Sequence, residues 1–413
     1  MLNAKDYEQL LELSAGWTVA DVEHDDGKKR VTVKISCFQD MYRCPCCGLA
    51  APLHDMRERS VRHLNFWNYQ TFLEIKYPRT NCRNCGIKAI APPFAAASKR
   101  FTNAFIRNVI RLCDKKPIRQ VASDLKLHWN VVAKIKDDAF NMAQSRKALQ
   151  SAIKKEKIYS ISIDEKCYRG HDCVTVITNT FGGNVLAVLD GREAETVNNY
   201  FASQKLYDFS ELISVCMDMA RPYIKAIRDS FPNADDIICF DRFHVAQLFT
   251  RAVDGIRRRE SKWFYDHKQE NPLAKTRFEW LRNSSRTDNS TDGRKEFLKL
   301  AAANLDTAKA WVLKEQASLL WNYSSEAPAK KAWKKLLWKM SHSRIPELKK
   351  LYKTLKAHLR GILNAIKLRA TNALAEARNS CIQRLRYAAC GYRNKQRFMR
   401  EIIFQMGGLD LTF

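Results

Sequence analysis

Lys157-Ile158-Tyr159-Ser160-Ile161-Ser162-Ile163-Asp164 alternates apolar and polar residues and ends on an acid, the period of two expected of a strand with one buried face. Working outward, Cys173-Val174-Thr175-Val176-Ile177-Thr178-Asn179 and Asn184-Val185-Leu186-Ala187-Val188-Leu189 read as the next two strands, with Gly182-Gly183 as the hairpin turn between them. After a helix expected near 194–206 comes Leu212-Ile213-Ser214-Val215-Cys216-Met217-Asp218, apolar and again ending on Asp. A helix through Tyr223-Ile224-Lys225-Ala226-Ile227 follows, and then Asp236-Ile237-Ile238-Cys239-Phe240-Asp241, a further apolar strand closed by Asp.

Three antiparallel strands followed by alternating helix and strand is the order of an RNase H-like mixed sheet, an α/β architecture. Carboxylates at the ends of neighbouring strands can share hard cations, and two magnesium (or manganese) ions there can activate an attacking oxygen and stabilise the leaving oxygen of a phosphodiester. Asp164 and Asp218 are the first two acids. A third is needed from a late helix, and Glu376 in Asn372-Ala373-Leu374-Ala375-Glu376-Ala377-Arg378-Asn379 supplies it. Asn372, Glu376, Asn379 and Gln383 recur at helical steps as one polar stripe, opposite Leu374, Cys381 and Leu385. Taken singly, each acid is better explained as a strand-end turn residue or a solvated surface group; the set together favours a metal site. Asp241 is the alternative second acid, and Asp218 is preferred because its strand should neighbour the first.

The chain has 13 cysteines, an odd number spread thinly over 413 residues, which does not suit a disulfide scaffold. Four are not scattered: Cys44-Pro45-Cys46-Cys47-Gly48 and Cys82-Arg83-Asn84-Cys85-Gly86 each give a C-x-x-C step followed by Gly, with 34 residues between Cys47 and Cys82. Paired thiolates at that spacing can grip one tetrahedral zinc, and the Gly permits the tight turn that aims amides at sulfur. Cys44, Cys47, Cys82 and Cys85 are therefore the expected zinc ligands, with Cys46 outside the set. Strand-like Thr71-Phe72-Leu73-Glu74-Ile75-Lys76-Tyr77 in the interval suits a zinc ribbon with an extended loop. Beyond it, Phe105, Val109 and Leu112 fall at helical spacing, and Pro117 opens a short helix over 118–125. A connection over 126–129 leads to a second helix with Lys134 and Lys136 expected on its exposed face, a helix-turn-helix.

Lys and Arg outnumber Asp and Glu by 71 to 44, a formal charge of +27 that calls for a polyanionic partner. Hydrophobic residues at 46% exclude a disordered chain. No apolar run approaches the roughly 18 residues of a membrane span, and the opening residues lack the layout of a signal peptide. A location in the cytoplasm, on the nucleoid, is expected. Between Asp218 and Glu376 lie 157 residues, more than a strand and two helices require. The surplus, roughly 254–345, holds Trp263, Trp280, Trp311, Trp321, Trp333 and Trp338 among helical repeats and reads as an all-α insertion. From Lys330 to Arg369 there are 13 Lys or Arg and one acid, Glu347. Leu348, Leu351, Leu355, Leu359, Ile362 and Ile366 form an apolar stripe there, leaving a basic face with Lys334 and Lys335 suited to phosphates.

In this order, Cys44 to Gly48 with Cys82 to Gly86, Ile163-Asp164-Glu165, Asp218-Met219 with Pro222-Tyr223, Asp241-Arg242-Phe243-His244-Val245, and Glu376 to Asn379 with Gly391-Tyr392-Arg393 resemble the insertion-sequence transposases of the ISL-three family over nearly the full chain. The resemblance implies a DDE transposase with a zinc ribbon (1–100), a helix-turn-helix (101–148), an RNase H-like core (149–253), an all-α insertion (254–345) and C-terminal core helices (346–413). It maps the catalytic triad to Asp164, Asp218 and Glu376. It also implies binding to the inverted repeats at the ends of an insertion sequence, to target DNA, and assembly as a dimer or larger synaptic complex. Lys166-Cys167 departs from the aromatic or small apolar residues expected after Asp164-Glu165. For His244, contact with the scissile phosphate or bracing of the acids stands beside an ordinary buried histidine, and Arg378 joins the expected DNA contacts. A non-cutting regulator that keeps only the DNA-reading modules is the alternative.

Overall fold

The computed structural model describes the chain except residues 1–3, 12, 14–15, 93, 96–99, 115, 283–290, 371–372, 390 and 412–413. It divides into one unit over 1–143 with 410–413 and a second over 144–409.

In the first unit, helix α1 (Ala4–Leu10) precedes strands β1 (Trp17–Asp25), β2 (Arg30–Cys37), β3 (Leu53–Arg62), β4 (Gln70–Cys82) and β5 (Gly86–Ala89). These form a sheet in the order β1-β2-β4-β3, with β5 paired to β4. β2 runs parallel to β4, and one face of the pair is buried: Val31, Val33, Ile35 and Cys37 pack with Leu73 and Ile75 of β4. The ribbon expected from the cysteines is thus the end of a larger sheet. Three helices follow, α2 (Asn103–Cys113), α3 (Ile118–Asp124) and α4 (Trp129–Ile153). Thr102 caps α2 by accepting from the Phe105 amide, and its Oγ1 also lies 2.9 Å from His63 Nδ1.

The second unit opens on β6 (Glu156–Lys157), then β7 (Ser160–Arg169), β8 (Asp172–Asn179) and β9 (Val185–Asp190) as an antiparallel meander. Helix α5 (Ala194–Ser203) leads through β10 (Tyr207–Asp208) to β11 (Ser214–Met217), then α6 (Arg221–Ser230), α7 (Ala234–Ile237) and β12 (Ile238–Phe240). The sheet order is β12-β11-β7-β8-β9, with β11 parallel to both β7 and β12. The mixed sheet expected from the sequence is present. Its last strand is shorter than expected, because Asp236 and Ile237 belong to α7. Asp164 is likewise not a strand end: β7 runs on to Arg169, held by its antiparallel partner β8 after its parallel partner β11 has stopped.

From β12 the chain enters helices α8 (Arg242–Asp266), α9 (Arg277–Leu281), α10 (Thr291–Ala302), α11 (Asp306–Leu319), α12 (Glu326–Ser341), α13 (Pro346–Ala357), α14 (Leu359–Lys367), α15 (Ala373–Ala388) and α16 (Lys395–Met406). The expected boundary at 253/254 falls inside α8. One apolar core joins Ile161 and Met217 of the sheet to Val253, Trp280, Trp333 and Leu355 of the helices. α14 lies against β12 so closely that a Cβ on Gly361 would sit 2.5 Å from two ring carbons of Phe240, a contact only glycine permits.

Candidate active site and zinc cluster

Strand register brings the acids together. Met217 pairs with Ile163 on one side and with Phe240 on the other. The next residues, Asp164, Asp218 and Asp241, therefore stand level across three neighbouring strand positions at the carboxyl edge of the parallel strands. Asp218 is the neighbour of Asp164, as expected, and Asp241 lies one strand farther out. Each acid is fixed locally: Asp218 Oδ1 accepts from the Ala220 amide at 2.9 Å, and Asp241 Oδ1 caps α8 by accepting from the Phe243 amide at 2.9 Å.

The late helix reaches the same row. Asn379 of α15 donates to Asp164 Oδ2, and Lys166 Nζ lies 3.1 Å from that oxygen. The carboxyl of Glu376 is pushed above the usual range by burial first, then by Asp241 and Asp164, while His244 opposes the shift. Asp218 is raised too, by burial first, with Asp164 and Glu165 adding to it and His244 again opposing. Carboxylates that raise one another's pKa in this way carry like charge at close quarters. His244 Nε2 lies 4.0 Å from Asp241 Oδ2. Among the described residues, the acids do not form a ligand set as compact as the cysteines do, with every donor atom within 4.8 Å of the others.

One sequence expectation on this helix needs correction: Leu374 is exposed, whereas Leu385 is buried as expected, together with Ala375 and Ile382, and Cys381 packs partly buried against the same cluster. Asn372 of the polar stripe lies outside the described residues. Sequence reasoning missed the pairing of Asn379 and Lys166 on Asp164; the alternation of β7, which puts residues 164 and 166 on one face, was the available signal. The Gly391-Tyr392 segment turns with Gly391 at φ 86°, and the Tyr392 carbonyl accepts from Tyr168 Oη at 2.8 Å, tying the region before α16 to β7.

In the first unit, Cys44, Cys47, Cys82 and Cys85 converge with all four sulfurs within 4.8 Å of one another. Cys47 Sγ and Cys82 Sγ are 3.5 Å apart. Gly48 and Gly86 have φ of 74° and 71°, the left-handed turns anticipated after each C-x-x-C step. The Cys47 and Cys46 amides face the Cys44 sulfur and hold its thiol down to about 6. Four soft donors in this arrangement fit a structural zinc, and Cys46 is exposed outside the set.

The expected DNA contacts divide. Lys134, Lys334 and Lys335 are exposed. Lys136 is buried, because it lies on the helix face shared with Val132, Ala139 and Ala143, so the expectation that it is exposed is wrong. Arg378 is half-buried and its Nε donates to the Gly183 carbonyl in the β8–β9 turn. On α12, exposed Trp338 stacks on His342 with centroids 4.5 Å apart. No helix among the described residues is long and apolar enough to cross a membrane.

Three family matches cover these regions. Residues 161–402 match a family described as "Transposase", residues 42–85 the "zinc-finger of transposase IS204/IS1001/IS1096/IS1165", and residues 90–138 the "Helix-turn-helix domain of transposase family ISL3". The chain is 26% identical over 405 residues to the transposase for insertion sequence element IS1001 of Bordetella parapertussis, covering 95% of this chain and 97% of the relative. It is 24% identical over 439 residues to the transposase for insertion sequence element IS1557 of Mycobacterium tuberculosis, covering 99% and 96%.

Proposed function

Since the chain belongs to the ISL3 family of transposases, we propose that its DNA cutting is carried by Asp164, Asp218 and Glu376 acting as one site. The observation that supports this most is the register. Asp164 and Asp218 stand side by side on adjacent strands, and Asn379, one turn beyond Glu376, reaches Asp164. Divalent magnesium or manganese held by these carboxylates would activate the attacking oxygen and stabilise the leaving oxygen of a phosphodiester. The protein's own part is positioning: Asn379 and Lys166 fix the Asp164 carboxylate, the Ala220 amide fixes Asp218, and His244 sets the charge balance between Asp218 and Glu376. Asp241 completes the row as a helix cap and bracing acid.

The reaction we infer is hydrolysis at the end of an insertion sequence, followed by attack of the freed 3′-hydroxyl on target DNA. The zinc unit and helix-turn-helix read the terminal inverted repeats, Lys134 contributing from α4. Lys334, Lys335 and Trp338 of α12 present charge and a stacking ring to the duplex. Two element ends must be held together, so a dimer or larger assembly in the cytoplasm, on nucleoid DNA, is part of the reading. The test is a labelled element-end duplex incubated with magnesium or manganese. Ala at any of Asp164, Asp218 or Glu376 should abolish nicking and leave end binding intact, with Asp241→Ala impaired less than Asp218→Ala. Should Asp218→Ala cut while Asp241→Ala does not, the second acid is Asp241. A wild-type protein that binds ends and never nicks them under either metal is a regulator.

A further inference from the structure

Strand alternation sends Asp164 and Lys166 to one face of β7 and Glu165 and Cys167 to the other. On that second face Cys167 stands directly opposite Cys173 of β8, their sulfurs 3.3 Å apart. A Glu165 carboxylate oxygen joins them, all three donor atoms lying within 4.8 Å of one another. We propose that Glu165, Cys167 and Cys173 form a second metal site that takes a thiophilic divalent cation, zinc foremost. This inference is independent of the catalytic assignment above.

The ribbon gives an internal standard. Its Cys47 and Cys82 sulfurs are 3.5 Å apart, nearly the separation seen here. Zinc–sulfur bonds of about 2.3 Å at a tetrahedral centre place two sulfurs roughly 3.7 Å apart. A disulfide needs about 2.05 Å. The Cys167–Cys173 gap is therefore much nearer to a shared ion than to a bond. Two thiolates and one carboxylate suit zinc and suit magnesium poorly, which separates this site from the catalytic acids on the opposite face. Cys173 is buried and Cys167 exposed, so an ion enters from solvent past Cys167. Three protein donors leave the fourth position to water, and the ion is more exchangeable than one held by four cysteines.

The surroundings are cationic. Arg192 Nη1 lies 3.3 Å from Glu165 Oε2, and Arg386 Nη1 donates to the Cys167 carbonyl at 3.1 Å. Binding is a substitution in which each thiol releases its proton to solvent and each sulfur donates a lone pair to the ion. The product is a clasp beside the turn of the β7–β8 hairpin, three residues beyond Asp164. It also gives the unusual Cys167 a role.

The experiment is zinc content of the full chain purified from zinc-replete medium, with cobalt substitution as a second readout. Wild type should carry two zinc ions per chain, and Cys167→Ser one, a halving of the content. Cys167 is exposed, so that variant keeps its fold; unchanged far-ultraviolet circular dichroism checks it. In wild type, a competing chelator should remove zinc in two kinetic phases, and Glu165→Gln should speed the faster one. One zinc in both wild type and Cys167→Ser overturns the proposal, as does two in both. A Cys167–Cys173 disulfide found by non-reducing peptide mapping of freshly purified protein overturns it as well.

Discussion

Gly361→Ala sets two effects of opposite sign against each other. In a helix interior, Ala is better than Gly by roughly 1 kcal/mol, so propensity alone predicts a more stable protein. The structure predicts the reverse. The new Cβ would meet Phe240 Cδ2 and Cε2 at 2.5 Å and the Ile238 carbonyl oxygen at 3.3 Å. Ordinary contact begins about 1 Å farther out, and Phe240 has no room to retreat, being 4% exposed and edge-on to His358 at 5.1 Å. α14 cannot slide away freely either, because Asn364 Nδ2 donates to the carbonyls of Asp235 and Ile238 at 2.9 Å each. Overpacking of this kind costs about 1–3 kcal/mol, so the net effect is a loss of about 1 kcal/mol and a fall in Tm of about 2–4 °C. Cleavage should suffer more. Phe240 is followed at once by Asp241, and a displacement of roughly 1 Å at a catalytic edge can cost about 100-fold. Thermal unfolding and element-end nicking should be measured on Gly361→Ala, Phe240→Leu and the double variant. The double variant should recover part of both losses, since the smaller side chain relieves the clash. A raised Tm with unchanged nicking in Gly361→Ala would refute the packing argument.

Three further outcomes are expected. Cys82→Ser should release the ribbon zinc and unfold the sheet end that it anchors, seen as one fewer zinc per chain and faster proteolysis within 1–100. Burial holds His63 neutral, its pKa down to about 4, so the unfolded chain takes up the proton first as pH falls. The first unit keeps its full stability above the ordinary histidine pKa and should lose about 2 kcal/mol between pH 7 and pH 5, a slope that His63→Gln removes in urea titrations. Lys334→Ala with Lys335→Ala should lower the slope of log affinity against log salt by up to about 2 units while leaving sequence preference unchanged.

The meander and the two parallel strands were legible because their apolar runs are short, β-branched and punctuated by Gly or Asp. What the sequence concealed was where pairing stops. Ile163-Asp164 reads as an end because the alternation meets a charge there, yet β8 goes on pairing as far as Arg169. The same limit hid Asp236 in α7, since two acids before an apolar run fit a helix start as well as a strand start. Side-chain placement on helices failed by one position at Leu374, where small Ala375 takes the packed face. It failed at Lys136 because a lysine stem can lie along a core while its charge finds partners elsewhere. At the candidate site, the nearness of Asp164 to Asp218 was legible from the order of their strands. Their level alignment was not, because register is a property of pairs of strands and no single strand carries it.

The apolar core that runs unbroken from Ile161 and Met217 through Val253 to Trp333 and Leu355 bears on how this protein can be dissected. Residues 254–345 interrupt the catalytic acids in chain order, which invites their excision as a cassette to leave a minimal nuclease. Such a deletion would strip Trp280, Trp333, Leu336 and Met340 from the same interior that seats β7 and β11, leaving a sheet with one flank open to water. A trimmed enzyme for genome engineering would therefore have to be resurfaced or supplied with the missing helices from another chain. For the same reason, a version split between α9 and α10 has a ready-made means of reassembly, since each half carries side chains that the other needs to bury.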